Sequence, residues 1–228
     1  GEGRIIGRSS ESIEISVGDS VYSSKRLIIA TGAETIIPPI EGVEESIKNG
    51  FVLTNREILS LDSVPESLVV VGGGVIGLEM ASYYNSVGSK VTVIEMLDKI
   101  AGPNDVEISS ILQKNYEKKG IIFNLNSRVV SFREGQVEFE SNGKRESIKC
   151  EKVLLSIGRR PVTKGYGLEN LGVETQKGAV VIDDRCRTNI ANVYAIGDCT
   201  GKSMLAHVAY RHADVAVNNI IGEKDVMN

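Results

Sequence analysis

The spacing of hydrophobic and polar residues changes near residue 68 of this 228-residue chain. Before that point, short β-prone runs are separated by polar turns, a pattern that predicts strands at residues 4–8, 12–17 and 26–30. Pro38, Pro39 and Gly42 then predict an extended connector. A short helix is expected at residues 55–61, and Pro65 after it is expected to mark a boundary.

After residue 68, the pattern predicts strands and helices in alternation. Residues 68–71 form a continuous apolar run, typical of a strand buried on both faces. Apolar side chains three to four residues apart predict a helix over residues 75–87. A second buried strand is expected at residues 91–94 and a third at residues 121–124.

A helix between the second and third of these strands, and further strands after the third, complete the alternating unit. Residues 105–119 predict an amphipathic helix, with Ile108, Ile111, Leu112 and Tyr116 on one side. An antiparallel meander and a final buried strand are expected next, at residues 128–132, 136–139, 147–149 and 153–156. Further strands are expected at residues 179–182 and 193–196, and a last helix at 204–221. The fold class is therefore α/β: a Rossmann-like domain, with a parallel sheet and a β-meander insertion.

A glycine-rich turn lies between the first buried strand and its helix. Gly72, Gly74 and Gly77 match the G-x-G-x-x-G pattern, which binds dinucleotides when it directly follows a strand and opens a helix. Gly72 permits the tight turn, Gly74 lets the backbone approach a pyrophosphate, and Gly77 lets the helix pack close to the strand. Backbone amides through Val75 and Ile76 are expected to bind the phosphates of NAD.

Glu95 follows the second buried strand, eighteen residues after Gly77. An acidic side chain at this position hydrogen-bonds the adenosine ribose and repels the additional phosphate of NADP. The next residues supply no arginine for that phosphate, and Lys99 is the only cation nearby. The sequence therefore predicts NAD as the dinucleotide.

Composition and charge exclude several other classes of protein. Lys and Arg total 26 and Asp and Glu total 30, a net charge of −4 without a dense basic run, so neither nucleic acid nor a membrane is expected as a partner. Cys150, Cys186 and Cys199 are too far apart for a metal site or a redox dithiol, and no metal is expected. Such sparse cysteines indicate a reducing, cytoplasmic location.

The order of short motifs resembles the pyridine nucleotide-disulfide oxidoreductases along essentially the whole chain. Ala30-Thr31-Gly32 precedes the glycine-rich turn, and Ile157-Gly158-Arg159-Arg160-Pro161 and Ala195-Ile196-Gly197-Asp198 follow it. Within that family, residues 95–100 and 204–209 are most similar to the dihydrolipoamide dehydrogenases. The resemblance implies an NAD domain inserted into an FAD domain, with expected boundaries at residues 1–50, 51–160 and 161–228.

The resemblance also assigns roles to individual residues. It implies that Gly158 contacts NAD and that Glu79 lies on the nicotinamide side, although Glu79 could equally be an exposed helix residue. It implies that five residues contact FAD: Thr31, Gly32, Asp198, Ala206 and His207. The parent enzyme is expected to convert dihydrolipoamide and NAD⁺ to lipoamide and NADH through a redox disulfide and FAD. It is also expected to be a homodimer that can join a 2-oxo acid dehydrogenase complex.

Several family motifs have no counterpart in this sequence. The FAD diphosphate loop, the redox cysteine pair and the His-Glu pair of the dimerisation domain are absent, so the chain is expected to be an internal, inactive fragment that binds FAD weakly or not at all. Without the first strand of the FAD domain, the flanking segments should expose an apolar edge and self-associate.

Three alternatives remain at this stage. The chain could derive from another member of the superfamily, such as a mercuric or glutathione-type reductase, an NADH peroxidase or a ferredoxin reductase. It could also be an NAD-binding module without catalytic function. A complete single-domain dehydrogenase is the least favoured, because the sequence has no Tyr-x-x-x-Lys pair and only two histidines, both outside the dinucleotide unit.

Overall fold

A computed structural model describes residues 1–9 and 12–227 of the chain. The strands in these residues are β1 (Gly3–Arg8), β2 (Ile13–Val17), β3 (Ser20–Ser24), β4 (Leu27–Ile29), β5 (Ala33–Thr35), β6 (Val52–Leu53), β7 (Ser67–Val71), β8 (Lys90–Ile94), β9 (Ile122–Asn124), β10 (Ser127–Arg133), β11 (Gln136–Ser141), β12 (Lys144–Lys149), β13 (Lys152–Leu155), β14 (Arg159–Pro161), β15 (Thr175–Gln176), β16 (Ala179–Val180) and β17 (Val193–Ala195). The α-helices are α1 (Val43–Lys48), α2 (Val75–Ser86), α3 (Val106–Lys118) and α4 (Ala206–Ile221), and 3₁₀ helices cover Glu57–Ser60, Leu168–Leu171 and Gly197–Thr200.

The chain divides into two compact units. A central unit comprises Thr35–Gly158, and a flanking unit combines Gly1–Glu34 with Arg159–Asn228. The division after Glu34 comes earlier than the boundary expected at residue 50, and the division after Gly158 lies close to the boundary expected at residue 160. The first difference arises because α1 packs against β10 and β6 pairs with β13, which places both elements in the central unit.

The central unit is built on a five-stranded parallel sheet in the order β6-β13-β7-β8-β9. From β7, the chain proceeds through β8 to β9 on one side, and it returns on the other side of β7 as β13. The strand order therefore reverses between β7 and β13, where open α/β sheets form a crevice at the carboxyl ends of the strands. This arrangement confirms the predicted α/β fold with its parallel sheet.

The two faces of this sheet are covered by different kinds of structure. Leu68 and Val70 of β7 pack on the α2 side with Ala81 and Tyr84. The alternate residues of β7 point to the opposite face, as expected from the strand period of two, and pack there against the antiparallel sheet β10-β11-β12. The expected meander insertion is confirmed, and it forms one of the two layers that bury β7.

Two short elements follow the connector predicted from Pro38, Pro39 and Gly42. Helix α1 and strand β6 lie between Gly42 and the 3₁₀ helix Glu57–Ser60. Strand β6 has only two residues, both buried, and its partner β13 lies about one hundred residues later in the chain. Patterns this short carry no readable period, so neither element was predicted from the sequence.

The flanking unit is assembled from both ends of the chain. The antiparallel sheet β1-β2-β3 comes from the first part, and β4 pairs in parallel with β17 from the second. The Ile5 amide donates to Tyr166 O at 2.8 Å, and the Asn170 side chain donates to Ile5 O at 2.7 Å. These bonds and a shared apolar core join the two segments into one body.

None of the helices within residues 1–9 and 12–227 is long and apolar enough to cross a membrane.

Candidate functional site

The glycine-rich turn connects the carboxyl end of β7 to the first residue of α2. Gly72 has φ 105°, a left-handed conformation that side chains rarely adopt, and its amide donates to Ile94 O at 2.9 Å. A Cβ atom on Gly72 would lie 2.5 Å from the carbonyl oxygen of Ser156, which directly follows the neighbouring strand β13. Both the backbone conformation and this close approach require glycine at position 72.

Gly77 is required by close packing rather than by its backbone conformation. It lies in the first turn of α2, where a Cβ atom would come within 2.1 Å of Gly72 O and 2.7 Å of Ser156 Oγ. The missing side chain therefore lets the helix approach the turn and the end of β13. This geometry agrees with the packing role expected for the third glycine.

Gly74 faces open space at the start of α2. It is the N-cap residue, no side chain caps the helix, and a Cβ atom there would meet nothing within 4 Å. The helix bonds begin with Leu78 N donating to Gly74 O at 2.9 Å. The amides of Val75, Ile76 and Gly77 therefore have no acceptor within the helix, the arrangement that binds anions such as a pyrophosphate.

The Glu95 carboxylate is fixed beside the turn by two backbone amides. Oε2 accepts a hydrogen bond from the Gly73 amide at 2.6 Å, and Oε1 accepts one from the Leu97 amide at 2.8 Å. Lys99 makes no pair with Glu95, because its Nζ atom donates to Asn104 O. Glu95 is thus a half-buried, oriented acid rather than a freely solvated strand end.

The segment after Glu95 packs against the same turn. Ala101 N donates to Gly73 O at 2.8 Å, and the buried Ile100 side chain lies 3.3 Å from the position of a Cβ atom on Gly73. Ile100 in turn packs with Leu78 of α2. The turn is therefore held on this side by β8 and by the loop that follows it.

Ser156 is a residue of this site that the sequence did not identify. It directly follows β13, and its hydroxyl donates to Val71 O at 3.0 Å and to Gly72 O at 3.1 Å. The available signal was its position at the end of a strand expected to neighbour residues 68–71. Which strand end lies beside the turn depends on sheet order, which the local pattern does not contain.

The remaining expected residues of the central unit differ in exposure. Val75 and Glu79 are exposed on α2, and Ile76 is half-buried. No ion pair forms with Glu79 among the residues that the structure describes, so nothing there fixes its orientation. Gly158 has φ 134°, and its carbonyl accepts from the Ile36 amide at 3.0 Å.

The flanking unit brings its own expected residues to one edge. Thr31 and Gly32 follow β4, and Asp198 follows β17, which lies parallel and adjacent. Thr31 Oγ1 donates to Val162 O at 2.5 Å, and Val162 N donates to Gly32 O at 2.9 Å. The carboxyl ends of both parallel strands therefore carry the residues that the family resemblance singled out.

Helix α4 contributes the other two residues expected at this edge. Ala206 and His207 are exposed in its first turn, and no side chain caps its N-terminus. The helix packs against the 3₁₀ turn Gly197–Thr200, which contains the half-buried Asp198. Within the flanking unit, Asp198 thus lies on a turn that packs against the helix carrying Ala206 and His207.

A surface cavity of about 750 Å³ lies elsewhere in the central unit, along Ile37–Ile40 and α1. It contains none of the expected site residues. In the described part of the chain, no cluster of His, Cys, Asp and Glu could hold a metal ion. The glycine-rich turn has the more specific chemistry, because its open amides and its oriented carboxylate lie together.

Comparison with protein families gives a match that spans most of the chain. Residues 2–213 match the family described as pyridine nucleotide-disulphide oxidoreductase. The chain belongs to this family. The resemblance inferred from the order of the motifs is thereby confirmed.

Several curated relatives are dihydrolipoamide dehydrogenases. The chain is 40% identical to dihydrolipoyl dehydrogenase of Acholeplasma laidlawii, over 91% of this chain and 61% of the relative. It is 42% identical to dihydrolipoamide dehydrogenase of Chaetomium thermophilum, over 89% of this chain and 41% of the relative. The human mitochondrial dihydrolipoyl dehydrogenase is 37% identical, over 97% of this chain and 45% of the relative. The chain thus spans about half the length of the curated relatives it matches.

Solved structures of the same kind share the fold. The HOCl-induced flavoprotein disulfide reductase RclA from Escherichia coli matches with a TM-score of 0.87 and 29% identity, over 99% of this chain and 51% of that one. LpdA from Mycobacterium tuberculosis matches with a TM-score of 0.83 and 28% identity, over 100% of this chain and 50% of that one. The Rossmann-type architecture of the chain is therefore that of flavoprotein disulfide reductases.

Proposed function

We propose that the central unit binds NAD at the turn Gly72–Gly77. The supporting observation is that uncapped amides at the start of α2 lie beside a carboxylate fixed at the end of the adjacent strand. The pyrophosphate would lie against Gly74, Val75 and Ile76, and a Cβ atom on Gly74 would meet nothing within 4 Å. Gly158, which lies between β13 and β14, would contact the same dinucleotide.

Glu95 gives this site its preference for NAD over NADP. Its two oxygens each accept one amide hydrogen bond and retain a lone pair for a ribose hydroxyl. A 2′-phosphate at this place would meet a fixed negative charge. Two charges about 4 Å apart repel by roughly 4 kcal/mol at an effective dielectric constant near 20, an upper figure for a partly wet site. Half of that value gives more than tenfold discrimination.

The flanking unit is proposed to contact FAD. Asp198 would hydrogen-bond the ribitol, and Ala206 and His207 would face the pyrimidine side of the flavin with the free amides of α4. Thr31 and Gly32 would lie at the same strand edge. When bound, FAD supplies the hydride and electron transfer between a disulfide and the nicotinamide. Glu79 is proposed to lie on the nicotinamide side of α2.

For the complete protein, we propose the oxidation of dihydrolipoamide by NAD⁺ to give lipoamide and NADH. The identity to dihydrolipoamide dehydrogenases from three organisms supports this substrate over those of other flavoprotein disulfide reductases. A homodimer within a 2-oxo acid dehydrogenase complex accords with that activity. The three cysteines are free rather than paired in disulfides, which supports a reducing compartment such as the cytoplasm.

A binding titration tests the NAD site directly. NADH fluorescence should saturate with this chain, and NADPH should bind at least about tenfold more weakly because Glu95 repels its phosphate. Glu95→Ala should reduce that ratio, and Glu95→Gln should reduce it while keeping an oxygen acceptor for the Gly73 amide. Asp98→Ala is the control, since it removes a neighbouring exposed carboxylate and leaves Glu95 in place. An unchanged ratio in both Glu95 variants would contradict the role proposed for Glu95.

A further inference from the structure

The peptide between Gly72 and Gly73 is held on both of its polar sides. Its carbonyl oxygen accepts from Ser156 Oγ at 3.1 Å, and its N–H donates to Glu95 Oε2 at 2.6 Å. The carbonyl and the N–H of a trans peptide point in opposite directions, so the two partners lie on opposite sides of it. A chain of hydrogen bonds therefore runs from β13, across the end of β7, to the acid that follows β8.

The position of Ser156 is set by the register of the sheet. Leu155 pairs with Val71, and the Ser156 amide donates to Val71 O at 2.8 Å. With its backbone anchored there, the hydroxyl shares its proton between Val71 O and Gly72 O. Val71 O already receives the Ser156 amide, so the distinct contribution of the hydroxyl is the bond to Gly72 O.

We infer that Ser156 is a positioning residue for coenzyme specificity and acts on Glu95 through the Gly72–Gly73 peptide. This inference rests on the proposed binding of NAD at the turn. The serine hydroxyl restrains rotation of the peptide, and the restrained N–H orients the carboxylate. Hydrogen bonds arranged in such a chain polarise one another, so the donor at one end strengthens the bond at the other. With Oε1 held by the Leu97 amide, both carboxylate oxygens then have fixed directions.

The ratio of the dissociation constants for NADPH and NADH is the measurement that separates this role from a merely structural one. Ser156→Ala should lower that ratio by roughly threefold to tenfold, the range expected from the loss of one neutral hydrogen bond. Ser156→Cys, which keeps a side chain of similar shape and donates only weakly, should give an intermediate ratio and provides a second variant if Ser156→Ala folds poorly.

Ser89→Ala is a matched control in the same sheet. The Ser89 hydroxyl also donates to a backbone carbonyl, Pro65 O at 2.6 Å, and it is buried just before β8, at the amino end of that strand. Its loss should lower the thermal stability to a comparable extent and leave the coenzyme ratio unchanged. A decrease of the ratio in Ser89→Ala as large as that in Ser156→Ala would show that general destabilisation is the cause, and the inference would be overturned.

A double-mutant cycle tests the route through Glu95. In a Glu95→Ala background, Ser156→Ala should produce no further change in the ratio, because the group that it orients is absent. An equal decrease in both backgrounds overturns the inference. If the wild-type chain shows no saturable binding of NADH, the proposed function fails. If NADH binds and Glu95→Ala lowers the ratio but neither Ser156 variant does, only the role of Ser156 fails.

Discussion

His212 connects helix α4 to the turn that carries Asp198. Its Nδ1 atom accepts a hydrogen bond from the Gly197 amide at 3.0 Å, and only 1% of the residue is exposed. Burial lowers the pKa of His212 from its ordinary value near 6.5, and the positive charge of Lys202 lowers it further. The hydrogen bond needs an unprotonated Nδ1, so the folded state holds this imidazole neutral.

The flanking unit should therefore lose stability in mild acid. Because the pKa of His212 is lower in the folded state, the unfolded chain binds the proton first, and stability is complete above about pH 6.5 and falls below it. The fall is at most about 1.4 kcal/mol per pH unit, the limiting slope for one proton. Denaturant melts between pH 7.5 and 5 should show a smaller slope in His212→Gln. His207→Gln, at the exposed histidine, should keep the wild-type slope, and a slope shared by all three proteins contradicts the prediction.

At the residue scale, the sequence could identify candidate site residues that lie close to one another along the chain. Gly72 and Gly74 lie within one strand–turn–helix segment, and Glu95 ends the next strand along the chain, so a motif and its spacing could find them. Ser156 acts on Gly72 from a strand more than eighty residues later. Its contribution depends on sheet order and register, which no local pattern contains.

At the scale of elements, helix α3 shows what periodicity can and cannot predict. The helix was expected, and Leu112 and Tyr116 pack against the apolar core of the central unit as the pattern indicated. Ile108 and Ile111 lie on the same side by helical spacing, but they are 60% and 51% exposed, so the amphipathic pattern misplaced the buried face. Ser109 is buried instead, because the contact face passes through positions 109, 112 and 116, which three- to four-residue spacing also places together.

Ser109 should therefore be a site where the protein can gain stability. Its hydroxyl is buried and has no hydrogen-bond partner among the described residues, and an unsatisfied buried hydroxyl costs about 1–3 kcal/mol. Ser109→Ala removes that cost and also gains up to about 0.5 kcal/mol of helix propensity. Ser110→Ala, at the half-buried neighbouring position, provides the propensity gain alone. Urea unfolding should show a larger increase for Ser109→Ala, and equal increases in the two variants would contradict this account.

At the scale of the whole molecule, the chain order of the motifs predicted a two-part organisation. The flanking unit combines residues before 35 with residues after 158. The earlier boundary was displaced because α1 and β6 join the central unit through contacts with β10 and β13. Those contacts involve partners distant in the sequence, so the boundary follows from tertiary packing and not from the proline and glycine residues before it.

The flanking unit also presents the surface through which we propose that this chain self-associates. Strand β4 pairs only with β17 in the described part of the chain, so its other edge has free backbone groups beside the exposed Ile28. Tyr210, Val217 and Ile221 are 76%, 46% and 64% exposed along one face of α4.

A second copy could cover both features, so light scattering should give a mass that rises with concentration above that of one chain. Tyr210→Lys combined with Ile221→Lys should lower that mass, because lysine charges oppose burial of the α4 face. Ile108→Lys with Ile111→Lys is the matched control, since it adds the same charges to an exposed apolar pair in the central unit. A mass of one chain at high concentration rules out the association, and an equal effect of the control pair places it on another surface.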